Sequence, residues 1–297
     1  MSAYIIKNYE DGFEEEQETV GVTVAKEWIH AHQTPADRLK EVYSQPEFDP
    51  ETRHYCFQGD KMVGFLTSKI LKEEEGEVKK ASLVFPSVLP GHEEAIGLLY
   101  DTAIKTLKEK GVKKIETYAS ALCGSQVELA NKYDFSYVKD VENIVYTLKV
   151  SNIDETVDTS KVRKFDMEKD IEKWLEVIKS LDNLDDERIE TIKNELVSEA
   201  DSIVAHLIVE EEDEIVGTFL IFRNPTKKNA ANLALPYVTD AKYLKMLVAK
   251  AAKIAAKSGI DYYLIWLFGN RIPLKKHMQQ LNVNYAQPSA SLFHKDI

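Results

Sequence analysis

Three groups of residues in this chain have the type and spacing to do chemistry. The first is a loop, Val88-Leu89-Pro90-Gly91-His92-Glu93-Glu94-Ala95-Ile96-Gly97. It follows an apolar run (Leu83, Val84, Phe85) and leads into apolar residues at 96, 99, 100, 103, 104 and 107. That i, i+3, i+4 spacing predicts a helix lying on a sheet, closed by Gly111. A strand that feeds a helix through a short irregular loop suits a phosphate-bearing ligand, because the amides and dipole of the helix start favour an anion. Glu93 and Glu94 suit the helix start themselves and would repel a bound diphosphate. The second group is Glu116 and Tyr118, which alternate onto one face of the strand-like run 113–118. The third is the histidines and cysteines. The seven histidines are scattered without metal-ligand spacing, and His30 and His32, two apart, fall on different helical faces. Cys123 lies near Ser125 without a His-Asp partner pattern, so it reads as a small buried residue rather than a nucleophile.

The totals narrow the setting. The chain has 297 residues, enough for two domains of about 150. No apolar run reaches the roughly 18 to 20 residues of a membrane span, and the start MSAYIIKNYEDG lacks the basic and apolar regions of a signal peptide. Two cysteines fit a reducing compartment, so the expected location is the cytoplasm. The net charge of −12 comes without a basic stripe, which argues against nucleic acid as a partner. An acidic surface aids solubility and can steer a cationic amine.

The elements that would position these residues recur. Tyr4–Lys7 reads as a strand and 10–18 as an acidic loop, with a helical face from Val22 to His32 and a second helix after Pro35. The runs 54–57 and 62–70 form a hairpin, and 72–80 is the solvated tip of the next one. The run 83–85 breaks at Pro86; after the helix come strands at 113–118, 135–138 and 144–150. Residues 151–160 (SNIDETVDTS) are polar and aperiodic, a linker. The order then repeats, with Asp166 as an N-cap and Leu233–Gly259 as the twin of Leu83–Gly111. Pro86 and Pro236 are 150 positions apart, Gly111 and Gly259 148, and Val63-Gly64 recurs as Val216-Gly217. Residues 262–268, a helix over 273–280 and a closing pair over 285–293 end the chain. The expected organisation is a domain over 1–150, a linker over 151–160 and a second domain over 161–297.

This order, with Val-Gly in the third strand and Pro-x-Val before the central helix, resembles the GNAT superfamily of acetyltransferases, present twice. The resemblance implies an α/β (α+β) fold, each domain a mixed central sheet flanked by helices. It also implies a loop that holds the pyrophosphate of acetyl-CoA. On that pattern the first half supplies Val88, Pro90, His92, Ala95, Ile96 and Gly97 to the coenzyme A site, although the loop is one residue short and lacks the family's Arg or Gln. The second half has Thr239-Asp240-Ala241-Lys242 there without glycine, Thr239 reading as an N-cap, and so is expected to be the non-binding copy.

The resemblance further implies an N-acetyltransferase acting on a small-molecule or peptide amine. Such an enzyme needs a base for the ammonium and an acid for the departing thiolate. The candidates are Glu116 as base and Tyr133 as acid, one helical turn past the family's tyrosine position. His277, seven residues after Asn270 in the second half, takes that position there, where Asn282-Val283 replaces Gly-Phe. No metal or membrane enters, and the chain is expected to act as a monomer or homodimer. A lapsed pair of GNAT folds serving as a ligand-binding or assembly module is the alternative, and a longer acyl-CoA or an aminoacyl-tRNA is a further possible donor.

Overall fold

A computed structural model describes residues 4–28, 33–72, 78–198, 200–224, 227–281 and 285–297. They form two compact units, Met1–Val141 with Ala290–Ile297, and Glu142–Ser289. Each holds one seven-stranded mixed sheet with helices on both faces, as the GNAT resemblance implies.

The first unit runs β1 (Tyr4–Asn8), α1 (Glu14–Ala25), α2 (Ala36–Tyr43), β2 (Arg53–Gln58), β3 (Lys61–Ile70), β4 (Lys80–Val88), α3 (Glu94–Glu109), β5 (Lys114–Ala119), α4 (Gln126–Lys132) and β6 (Ser136–Asp140). Strand β7 (Ile144–Lys149) follows and belongs to the second unit, as do β8 (Val162–Lys164), α5 (Met167–Asp182), α6 (Asp186–Ser198), β9 (Ile203–Glu211), β10 (Glu214–Arg223), β11 (Ala230–Val238), α7 (Ala241–Ser258), β12 (Tyr262–Leu267), α8 (Lys275–Met278) and β13 (Tyr285–Pro288). The last strand, β14 (Ser291–Asp296), returns to the first unit.

The sheet orders are β1-β2-β3-β4-β5-β14-β6 and β13-β7-β12-β11-β10-β9-β8. Strand by strand they match, with β14 in the first sheet occupying the slot that β7 occupies in the second. The contiguous halves read from the sequence therefore differ from the units by one strand each. The 144–150 run does not close the first sheet, and the final strand does not close the second. A local alternation pattern specifies which face a strand buries but not which of two like sheets accepts it.

Three further expectations change. Helix α1 begins at Glu14, inside the segment read as an acidic loop, because two of its polar residues are buried with partners. Tyr9 donates to the Glu14 carboxylate, and the Gln17 side-chain oxygen accepts from Tyr43 at 3.0 Å and Tyr55 at 2.9 Å. Residues 29–32, the end of the expected helical face and with it His30 and His32, lie outside the described residues, as do 73–77 of the expected hairpin tip. The expected 273–280 helix is a 3₁₀ turn over Gly269–Leu274 followed by one turn of α-helix.

The third change concerns Pro86, which does not break β4. Phe65 pairs with Ser87 and Thr67 with Val84, so Leu66 faces two residues, Phe85 and Pro86. Proline lacks the N–H of a regular ladder and is tolerated in such a bulge. Pro236 sits in the same bulge of β11, where Phe219 faces Leu235 and Pro236, and Leu235 has φ +47. The repeated Val-Gly has a steric cause in the first unit. A Cβ on Gly64 would lie 2.8 Å from Val88 Cγ2 and 3.0 Å from the Ser87 carbonyl oxygen, so only glycine lets β3 and the end of β4 approach this closely.

In the first core, Leu99, Ala103 and Leu107 of α3 pack on Leu83, Phe85 and Ile115, while Val20 of α1 covers Tyr55, Phe57 and Phe65 on the other face. In the second, Leu247, Val248 and Ala251 of α7 pack on the sheet, and Ile171, Trp174 and Ile178 of α5 cover its other side. Burying each such leucine is worth about 1.5–3 kcal/mol.

Each unit also buries a histidine. His54 Nε2 lies 3.1 Å from Thr106 Oγ1, and burial, helped by Arg53, lowers its pKa to about 4. His206 Nε2 lies 3.1 Å from Thr218 Oγ1 and its ring stacks on Phe165 at 3.9 Å; burial lowers its pKa to about 3. Both rings are neutral in the fold. Below the ordinary histidine value of about 6.5 the unfolded chain binds protons that the folded chain does not, so stability is full above that pH and declines as pH falls. The expected loss between pH 6.5 and 4 is on the order of 1 kcal/mol per pH unit for each histidine. Melting temperatures measured from pH 7.5 to 5 should fall accordingly, with a shallower slope in His206→Gln. A flat profile in the unaltered protein contradicts the argument.

The strand exchange makes a second expectation. Removing residues 290–297 takes β14 from between β5 and β6 and exposes two strand edges in the first unit. Amide hydrogen exchange should then accelerate across 1–141 and stay near its original rate across 142–289. Loss confined to the second unit would show that the exchange is not what holds the first sheet together.

Candidate functional site

The site in the first unit is built around the parallel pair of β4 and β5. Strands β4 and β5 pair from Lys80 with Lys114 to Ser82 with Glu116 and then part, β4 running on to Val88 and β5 to Ala119. Glu116 is therefore at the vertex of a V. Its Oε1 lies 3.4 Å from His294 Nε2 on β14 and 3.9 Å from Lys80 Nζ on β4, and the side chain is about one-fifth exposed.

The loop after β4 leads to the start of α3. Val88 ends the strand half-buried, and Gly91 takes φ +87, a conformation glycine adopts without strain. His92 is turned to β1, its Nδ1 3.1 Å from the Tyr4 hydroxyl. Ala95 is fully buried against the core and Ile96 is partly buried beside it, and their amides donate to the His92 and Glu93 carbonyls at 2.8 and 3.1 Å. At Gly97, a Cβ would meet nothing within 4 Å. The Glu93 carboxylate accepts the Gly91 N–H at 2.9 Å, and the Gly91 amide, then its own, hold it below the usual carboxylate range. A carboxylate of the chain thus occupies amides of the kind a phosphate would use.

Tyr133 is the C-cap of α4. Its ring stacks on Tyr100 of α3 with centroids 3.7 Å apart, and Phe85 from the bulge lies beyond. Both phenol hydroxyls are buried without a hydrogen-bond partner among the described residues. Burial first, then Asp101, raises the Tyr133 pKa, so the phenol stays protonated. Lys295, beside His294 on β14, donates to the Tyr133 carbonyl at 2.5 Å. Strand β14 thus touches both candidate catalytic residues of this unit.

The second unit repeats the geometry with other chemistry. Strands β11 and β12 pair from Ala230 with Tyr262 to Leu233 with Ile265 and then part. The N-cap of α7 is Asp240, not Thr239: the Asp240 carboxylate accepts the Lys242 N–H at 2.8 Å, while the Thr239 hydroxyl donates to the Val216 carbonyl at 3.3 Å. An ionised side chain is the stronger acceptor for these amides. His277 is half-buried on α8 and belongs to this unit, so it does not join the Glu116 and Tyr133 set. Asn270 donates to the Leu181 carbonyl at 2.6 Å, and Asn282-Val283 lies outside the described residues.

Sequence reasoning missed His294, Lys80 and Arg271. His294 is out of reach of the sequence because alternation along 291–296 does not say which sheet the strand enters. Arg271, 1% exposed, holds Asp182 through Nη1 at 2.6 and 2.7 Å and fixes the segment after β12 to the end of α5. No group of three His, Cys, Asp or Glu side chains stands ready for a metal ion among the described residues, and none of their helices is long and apolar enough to cross a membrane. Burial pushes the Cys123 thiol up in pKa, the reverse of an activated nucleophile.

No protein-family profile and no curated protein matches the chain by sequence. Solved structures do match it in three dimensions. A tandem GNAT protein from the clavulanic acid biosynthesis pathway superposes with a TM-score of 0.53 at 10% identity, covering 99% of this chain and 98% of that one. A GCN5-related N-acetyltransferase from Sphaerobacter thermophilus gives 0.52 at 10% identity, covering 99% and 95%. Such low identity speaks for the fold and not for substrates. Together with the two matching sheets, the parted parallel pairs and the paired bulges, it makes this chain a tandem GNAT-fold protein with two GNAT-like domains.

Proposed function

We propose that the protein is an acetyl-CoA-dependent N-acetyltransferase whose first unit binds the acyl donor and whose acceptor is a small-molecule or peptide amine. The observation that carries this reading is the parting of β4 and β5 beyond Ser82 and Glu116, next to a helix start with open space at Gly97. Val88, Pro90, His92, Ala95, Ile96 and Gly97 would hold the donor. Acetyl-CoA supplies the activated acyl group. Glu116 takes the proton from the acceptor's ammonium, freeing the nitrogen lone pair. Tyr133, kept protonated by burial, gives its proton to the departing thiolate. The second unit, with α7 capped by Asp240, serves as scaffold.

One observation favours a second reading, a lapsed GNAT pair acting as a ligand-binding or assembly module. Glu93 sits on the Gly91 amide, so a diphosphate must displace a carboxylate to bind.

Calorimetric titration with acetyl-CoA separates the two. A binding enzyme should be stabilised by about 2.7 kcal/mol at a hundredfold excess over Kd. Gly97→Asp meets no steric obstacle and should abolish binding, whereas Ala241→Asp in the second unit should not. Glu93→Ala should tighten binding several-fold by removing the competing carboxylate. Absence of binding to the unaltered protein at millimolar acetyl-CoA overturns the enzyme reading and leaves the second.

A further inference from the structure

The row of side chains across the vertex of the first sheet differs in kind from its counterpart in the second. In the first unit Ser82 pairs with Glu116, and Glu116 with His294. In the second, aligning Ala81 and Ile115 with Ala231 and Tyr263, the row is Asn232, Leu264 and Thr147. Leu264 is fully buried where Glu116 is partly open. The same fold thus carries a carboxylate and an imidazole in one copy and an aliphatic side chain and a hydroxyl in the other. The imidazole comes from the last strand of the chain, which reaches the first sheet only because β7 and β14 are exchanged.

We propose that His294 is a positioning residue for Glu116: it holds the carboxylate at the vertex, facing the acceptor, against the pull of Lys80. Two nitrogens face one oxygen, His294 Nε2 at 3.4 Å and Lys80 Nζ at 3.9 Å. Neither distance is that of a closed hydrogen bond, so the carboxylate is shared rather than locked. His294 Nε2 is buried and makes no hydrogen bond among the described residues, and Glu116 Oε1 lies 3.4 Å from it. The other charged groups near His294 are Lys114, 4.0 Å from Asp296, Lys295 on the Tyr133 carbonyl, and Asp134, which lines one hollow with His294, Lys114 and Asp296. Without the imidazole, Glu116 would close onto Lys80 and lose its freedom to accept the ammonium proton. The catalytic use of this arrangement rests on the acetyltransferase reading; the positioning itself does not.

The test has two arms. The first is a crystal structure of the full chain carrying His294→Ala, which should show the Glu116 carboxylate moved to within about 3 Å of Lys80. An unmoved carboxylate overturns the proposal. The second is acetyl transfer from acetyl-CoA to phenethylamine or poly-L-lysine, following thiol release. Glu116→Gln should lower kcat by about a hundredfold or more. His294→Ala should lower kcat by about tenfold with KM for acetyl-CoA unchanged, His294→Gln should restore part of it, and the double variant should be no slower than Glu116→Gln alone. Effects that multiply in the double variant, or a His294→Ala loss that lies in KM, overturn it. If the unaltered protein binds no acetyl-CoA, the enzyme reading falls, and the structure of His294→Ala still decides whether His294 positions Glu116.

Discussion

The structure depends on the brief parallel pairing at the centre of each sheet. Parallel neighbours cannot be joined by a tight turn, so a helix must cross over the sheet between them. That requirement places α3 between β4 and β5, and α7 between β11 and β12, and it gives each core its largest apolar face. The pairing then stops, after Ser82 in one unit and Leu233 in the other, while the strands continue. Backbone groups beyond the vertex face no strand across the gap, and buried polar backbone needs a partner. The bulges at Pro86 and Pro236 bend the strands where they part. The opening is thus a product of backbone geometry, and it survives in both copies whatever the side chains do.

The side chains are where the copies diverge. In one, the helix start is held by a glutamate reaching back onto a left-handed glycine; in the other, by an aspartate in the ordinary capping position. Both put an anion carried by the chain at the helix start, each from an exposed side chain. Along the parallel pair, Leu264 stands where the first unit has Glu116. The two copies share the frame and differ in the side chains set on it.

Much of this frame was legible in the sequence. The twin Pro-x-Val segments, their spacing and the apolar stripe of the central helix follow from period and turn chemistry, and these identify the fold and the loop. Three things were not legible. Helix α1 was hidden because Glu14 and Gln17 look solvated until Tyr9, Tyr43 and Tyr55 are seen around them. Pro86 looked like a stop because a bulge is a property of two strands, and one strand alone does not reveal it. His294 could not be joined to Glu116, since alternation along 291–296 says which face its residues take and nothing about which sheet they enter.

The exchange of β7 and β14 also sets an order of events during synthesis. Residues 1–141 leave the ribosome first, yet the slot between β5 and β6 is filled by residues made about 150 positions later. At roughly 5–20 residues per second, that slot stays open for on the order of ten seconds or more. During that interval β7 is the strand at hand, able to occupy the vacancy as a temporary guest before its own sheet exists. The nascent chain must therefore either shelter two raw edges or pass through a closed first domain that later releases β7. The unit that holds Glu116 and Tyr133 therefore cannot close its sheet until residues 291–296 have been made.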